Sequence, residues 1–529
     1  TVAQKFHHYY LEHCSKKEVV NVGTSLTIEY EIDIETLKHA IYKAYERSES
    51  MRTRLTYDAK EKEWYQYVVE KEERDIEYVD FSGKTMEEAE DIMRQWTQVP
   101  FKREDSPMNK VVMIKTPDGC QGVYLLGDHL LLDAQSLIGF LRDIIEIYCS
   151  WKYEGVEYPA DMRSYIEQLE KDLKYEAGGR AQDKDREFFY KLIEQSEPIY
   201  NGIDGSRELE EARKIKPNTR AFQFKSRNID SALDIFHLEE EPTTRLLRFC
   251  EEYRISLQCL LLMGIRTYLQ KMNGNDDVSV NVAYARRATL LEKKSGGTRI
   301  HSFPFRTIID EEKTFIEGIY AIRDGQNEIF RHTNFNPVEY FAYRRKIYNL
   351  DPGEVYEPMT LTYQPLTLKD KGLTQLGDIR YKTKWYPNGA TTQAMYLTVM
   401  HRPDDNGLDF NFEHQVAAVA ADEAAVVFGR IVPRREVGQQ NRSGFSAQGN
   451  AGLTDDWHRL GDKISPFREE NLTVVRRVRD DVRQSLVLTA QSVILHAVIG
   501  YDNTFHNKTS SLSRLKLFER GSDESAPQT

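Results

Sequence analysis

Residues 124–137, YLLGDHLLLDAQSL, hold the arrangement in this chain with the clearest chemical content. An apolar, strand-like run ends at Gly127; Asp128, His129, three leucines and Asp133 follow, and then an apolar pattern with helical spacing. A histidine with apolar neighbours is suited to general-base work near neutral pH. Asp133, four residues on, is either a carboxylate that orients the site or the N-cap of the helix. The plain alternative is a histidine hydrogen-bonded within the core. Spacing alone does not decide between them, because His401 and Asp405 in HRPDD repeat it. That second pair follows a strand into a turn and predicts a solvated loop. In HHYYLE, His7 and His8 precede Glu12 on a helix-like stretch and read as ordinary packing. Position singles out His129: its backbone is held between a strand and a helix, and chemistry concentrates in loops on such rigid scaffolds.

The elements that must hold this loop can be read outward from it. GVYLLG is apolar without alternation, as expected of a strand buried on both faces. Leu137, Leu141, Ile144, Ile145 and Tyr148 mark an amphipathic helix after Asp133. SLTIEYEI alternates Leu26, Ile28, Tyr30 and Ile32 as a half-buried strand. Asp33 then caps a helix carrying Leu37, Ile41, Ala44 and Tyr45. EWYQYVVE and KVVMIKT read as further strands. Residues 176–220 are polar, helical at first and then loop-like at YNGIDGSRE, and predict a linker. Two helices, TTRLLRFCEEY and LQCLLLMGIRTYLQKM, lead through a turn into the strand VSVNVAYA. Strands follow at RIHSFPFRTII, MTLTYQPL, AMYLTVMH and LDFNFEH. The expected domains are therefore 1–175, a linker at 176–220, 221–430, and an atypical tail at 431–529. In that tail only Tyr501 remains of the chain's 30 tyrosines, and the final RGSDESAPQT predicts disorder.

Bulk properties exclude several classes. With 529 residues, 40% hydrophobic and 29% charged, the chain has the composition of a soluble globular protein of more than one domain. A net charge of −12 argues against a nucleic-acid partner. No apolar run reaches transmembrane length, and TVAQKFHHYY lacks signal-peptide character. The five cysteines, Cys14, Cys120, Cys149, Cys250 and Cys259, are scattered without CxxC spacing. That pattern predicts reduced thiols in a cytoplasmic protein and no bound metal. GxSxG, P-loop, HExxH and dinucleotide-binding signatures are absent.

DHLLLDA resembles the HHxxxDG motif of the condensation domains of nonribosomal peptide synthetases, in the chloramphenicol acetyltransferase-like superfamily. TVAQKFHHYY resembles that family's opening segment, and LKHAIYKAYERSESMRTRL its first helix and the strand after it. SVNVAYARRATLLEKKSGGTRIHSFPFRT and GLDFNFEHQ resemble its later segments, so the likeness runs in order through about residue 420. The motif is degenerate: Asp128 replaces its first histidine and Ala134 its glycine, while His129 and Asp133 are retained.

The resemblance implies an α/β (α+β) fold of two acetyltransferase-like lobes in a V-shaped pseudo-dimer, with a tunnel between them and His129 as the catalytic residue. It also implies that Asp133 pairs with an arginine of the second lobe, Arg286 being the nearest match and Arg287 the next. The implied reaction joins a thioester-bound acyl or aminoacyl donor to an amine or alcohol, in nonribosomal peptide or related secondary-metabolite synthesis. The expected substrate is a phosphopantetheine thioester brought by a carrier protein in trans, or a coenzyme A thioester, with no bound cofactor and a monomeric protein. Asp128, if it faced the imidazole, would raise the pKa of His129, and Ala134 would narrow the tunnel. Two alternatives follow from these changes: an impaired module that recruits carrier proteins or tailoring enzymes, and a coenzyme A-dependent acyltransferase.

Overall fold

The strand that ends at Asp128 is the middle of a five-stranded sheet. In the computed structural model, which describes residues 1–416 except 73, 204, 206, 224–227, 311 and 366–378, its order is Tyr381–Tyr386, Asn21–Ile28, Gln121–Asp128, Asn109–Lys115 and Glu77–Asp80. Every residue of Gln121–Asp128 is buried, as its unbroken apolar run predicts. Alternation across the strand explains how. Val123 and Leu125 join Leu26 and Ile28 beneath the helices Ile34–Arg47 and Ala134–Lys152. Tyr124 and Leu126 join Val112 and Ile114 beneath the helix Met86–Thr97 on the other face. Asn21–Ile28 is also paired on both sides, so the half-buried alternation expected for it does not hold: the strand stops at Ile28 and Tyr30 lies exposed outside it.

The second lobe is built on a six-stranded sheet in the order His301–Ile308, Asp277–Tyr284, Met359–Gln364, Met395–His401, Leu408–Gln415 and Ser231–Leu238. Met359–Gln364 runs parallel to both neighbours, and the other pairings are antiparallel. The helices Leu257–Asn273 and Phe315–Phe330 belong to this lobe.

Two departures from the expected boundaries tie the lobes together. Tyr381–Tyr386 lies late in the chain, yet pairs antiparallel with Asn21–Ile28 in the first sheet. Residues 176–220 are not a linker. Their helix Arg180–Gln195 buries Phe189 against Phe303 and Phe335, with ring centroids 4.5 and 5.4 Å apart, and a second helix, Arg207–Ile215, forms where a loop is expected. Thr1–Ala424 accordingly form one compact unit. The tail at 431–529 lies outside the described residues. Among those residues no helix is long and apolar enough to cross a membrane, no His, Cys, Asp and Glu cluster fits a metal ion, and all five cysteines are free and buried.

Candidate active site

Backbone bonds fix the loop at both ends. His129 N–H donates to Val20 O (2.8 Å), and the N–H groups of Leu131 and Leu132 donate to Asp128 O (both 3.0 Å). Gly127 is closely packed: a Cβ there would lie 2.9 Å from Leu132 Cδ1 and 3.0 Å from Leu137 Cδ2, and those side chains would have to shift. The loop therefore packs directly on the end of its own strand.

The two motif acids are each committed to an arginine. Asp128, fully buried, accepts from Arg103 Nε (2.7 Å) and from Leu130 N–H (2.9 Å). Burial raises its carboxyl above the ordinary value, against the pull of Arg103. It does not hydrogen-bond the imidazole, so the expected rise in the His129 pKa does not occur. Asp133 caps the helix Ala134–Lys152 by accepting from Ser136 N–H (3.0 Å). Across the lobes, its two oxygens accept from Arg287 Nη2 at 2.8 and 2.7 Å and from Arg299 N–H at 3.0 Å. Burial acts to raise this carboxyl, but Arg287 and the Ser136 N–H outweigh it and hold it below the ordinary value.

The clamp is thus Arg287 and not Arg286. Arg286 takes a left-handed backbone conformation (φ 54°), and the two neighbouring guanidiniums go to different partners. Arg286 contacts Asp172 (3.6 Å), Asn334 and His301. Burial, reinforced by nearby Arg299, lowers its pKa to about 10.

His129 opens onto a cavity of about 260 Å³, lined also by His7, Ala134, Asn281, Tyr396 and Glu413. A second cavity of about 450 Å³ is lined by Asp133, Ala134, Tyr284, Ile300 and Gln364. Ala134, Ile300 and Gln364 belong to both, so the cavities meet beside these three residues. Burial lowers the His129 pKa below 6.5, with Asp133 opposing it. Its Nδ1 is buried with no hydrogen-bond partner among the described residues.

Sequence reasoning missed two residues here. His7, read as ordinary packing, stacks on His129 with ring centroids 4.1 Å apart and planes 16° apart. Its signal was its place with Ala3 and Leu11 on the buried stripe of the helix Val2–His13, where an imidazole is out of character. Glu413 projects into the smaller cavity from Leu408–Gln415; it accepts from Ser231 Oγ (2.7 Å), and burial pushes its carboxyl up to about 7. His8 does pair with Glu12, at 3.6 Å on the surface.

The sequence model of the condensation domain matches residues 1–419. The chain belongs to the condensation-domain family. Surfactin synthase subunit 1 of Bacillus subtilis (strain 168) is 23% identical over 400 residues, which is 75% of this chain and 10% of that protein. The chain therefore spans only a small part of this curated relative's length. Two solved structures share the fold. The first condensation domain of the calcium-dependent antibiotic synthetase, with substrate analogue 3a, gives a TM-score of 0.66 at 18% identity over 82% of this chain and 93% of that one. The starter condensation domain of rhizomide synthetase, with C8-CoA and Leu-SNAC, gives 0.67 at 15% identity over 81% and 91%. The expected α/β architecture of two acetyltransferase-like lobes is thereby borne out. In this condensation domain Asp128 holds a buried ion pair with Arg103, and Ala134 lines both cavities.

Proposed function

We propose that this condensation domain is an acyltransferase that joins a thioester-bound acyl or aminoacyl donor to an amine or alcohol, with His129 as its catalytic residue. One observation carries the reading: an imidazole kept neutral by burial, with one nitrogen sealed and the ring facing a cavity that meets a second cavity beside it. Two substrates entering by the two cavities would meet at Ala134, next to that ring. As the acceptor attacks the thioester carbonyl, His129 Nε2 takes its proton and the thiolate leaves. Asp133, neutralised by Arg287, fixes the loop without competing for that proton. Arg254 and Arg323 line the larger cavity, and either could hold the phosphate of a phosphopantetheine thioester, brought by a carrier protein or as coenzyme A.

The test is product formation from carrier-bound, coenzyme A and N-acetylcysteamine thioesters with a panel of amines and alcohols, comparing wild type with His129→Ala. Product from wild type and loss of about 100-fold or more in the variant are expected. Equal product from both would remove His129 from the reaction. No product from wild type on any pair would leave the recruiting module as the reading.

A further inference from the structure

The loop that carries His129 is held firmly, but none of its anchors reaches the imidazole. Asp128 is engaged by Arg103 and Leu130 N–H. Asp133 is engaged by Arg287, Arg299 and Ser136. The ring's own Nδ1 has no partner among the described residues. An imidazole that must accept a proton from a defined direction needs its plane set by something else. The group lying against its face is His7, stacked at 4.1 Å and 16°. His7 is itself buried, lines the same cavity, and leaves Nε2 without a partner among the described residues. Its place is fixed by its helix, whose Ala3 and Leu11 are buried one turn to either side.

We infer that His7 is a positioning residue for His129: its ring fixes the plane of the catalytic imidazole and presents an uncharged π face to the imidazolium that forms when His129 takes the acceptor's proton. The inference rests on the acyltransferase reading. Burial, and then the charge of His129 itself, keeps His7 free of a proton. A neutral aromatic face stabilises a cation stacked on it, whereas a second cation there would oppose protonation. The other ionisable groups around the pair leave this role to His7. Asp133 and Asp128 are each neutralised by an arginine. Glu413 lies on the opposite sheet with Ser231. Tyr10 and Tyr396, which line the same cavity, have hydroxyls pushed above their ordinary range by burial and stay neutral.

The decisive experiment compares His7→Ala, His7→Leu and His7→Phe with wild type in two measurements. The first is kcat, KM and the pH profile, with whichever donor and acceptor the wild type turns over. The second is the NMR titration of the His129 imidazole, assigned with His129→Ala, which needs no turnover. For His7→Ala, kcat should fall about ten- to a hundredfold with KM little changed, as expected when a reacting group loses its orientation. The His129 midpoint should rise toward 6.5, because the water that replaces the ring relieves the burial that lowers it and solvates the imidazolium better than the π face does. His7→Phe, which keeps a flat face without the nitrogens, should restore most of kcat and bring the midpoint back down. His7→Leu fills the volume without a flat face; at an unchanged melting temperature it should stay slow. A His7→Phe variant as slow as His7→Ala would overturn the stacking role. So would a His129 titration indifferent to all three substitutions, and this holds even for a protein without turnover, so that the two readings fail separately.

Discussion

Among the described residues the chain contains two HxxxD segments, and they came to opposite ends. His129 and Asp133 sit between a buried strand and a helix; His401 and Asp405 sit at the end of Met395–His401 and in the turn after it. At the first, the histidine faces a cavity and the aspartate is buried against Arg287 from the other lobe. At the second, His401 Nε2 hydrogen-bonds the Tyr363 hydroxyl (2.7 Å), and Asp405 accepts from its close neighbour Arg402 at 2.9 and 2.6 Å. The spacing is the same and the residue types are the same. What differs is where the charges are answered: across the fold in one case, within one turn in the other. A site needs a histidine whose nitrogen is left free at a cavity, and that requires its acidic neighbour to be satisfied elsewhere.

The sharpest way to break the contrast is to remove each histidine. His129→Ala should reduce kcat/KM by about 10²–10⁴-fold, while His401→Ala should leave it unchanged under the same assay. The wild-type pH profile adds a sign. Because burial lowers the His129 pKa, the free base predominates at neutrality, and activity should fall only on an acid limb whose midpoint lies below 6.5. A midpoint above 6.5 would mean that a carboxylate governs the imidazole after all.

Removing the two arginines tests the contrast in stability. Arg287 and Asp133 are 2% and 1% exposed in their side chains. Arg287→Ala leaves a carboxylate stranded in the interior and should cost about 3–5 kcal/mol in urea unfolding. Arg402 and Asp405, at 15% and 44% exposed, form an ordinary surface pair, and Arg402→Ala should cost less than about 1 kcal/mol. Equal losses would show that the turn is as structural as the clamp. Asp128→His falls on the same side as Arg287→Ala: it removes the carboxylate that Arg103 pairs with, so it should lower stability without raising activity.

How much of this was legible depended on how local each contact is. The strand, the loop and the helix at 121–152 could be read because their burial is written in adjacent residues. The choice between Arg286 and Arg287 was not, since it turns on a left-handed residue with no glycine to announce it. Tyr381–Tyr386 was missed for a related reason. YKTKWY shows lysines in alternation, like a surface strand, and its partner Asn21–Ile28 lies more than 350 residues away. His7 was hidden by its setting: a histidine among aromatic residues on a helix resembles packing until another imidazole is found against it.

The junction between the cavities gives a smaller effect. Ala134→Gly removes a methyl group from the residue that lines both cavities. With long or branched acyl donors, turnover should rise by up to about tenfold, the scale on which a single methyl group discriminates in a pocket. Because position 134 opens the helix Ala134–Lys152, the same change should cost up to about 1 kcal/mol. Identical rates with short and long donors would show that the junction is not where they pass.

The strand Leu408–Gln415 links the two HxxxD regions and offers the finest test. At its turn end, Asp409 accepts from Arg402 (3.4 Å) and lies 2.7 Å from His237 Nδ1. At its cavity end, Glu413 accepts from Ser231 and has no ion pair among the described residues. Glu413 is half-buried by surface, but that surface is the wall of the cavity, so its carboxylate is poorly hydrated and holds its proton up to about 7. The unfolded chain releases that proton near 4.5. Between these values the folded state binds more protons, so this residue's contribution to stability declines as pH rises from 4.5 through 7 and is least favourable above it. Glu413→Gln removes the ionisation and should raise the melting temperature slightly at pH 8, with no change at pH 4. Asp409→Asn, which removes a partnered carboxylate, should lower it slightly at pH 8. If Glu413→Gln lowered the melting temperature at pH 8 as well, a cation would have to reach the cavity wall from outside the described residues.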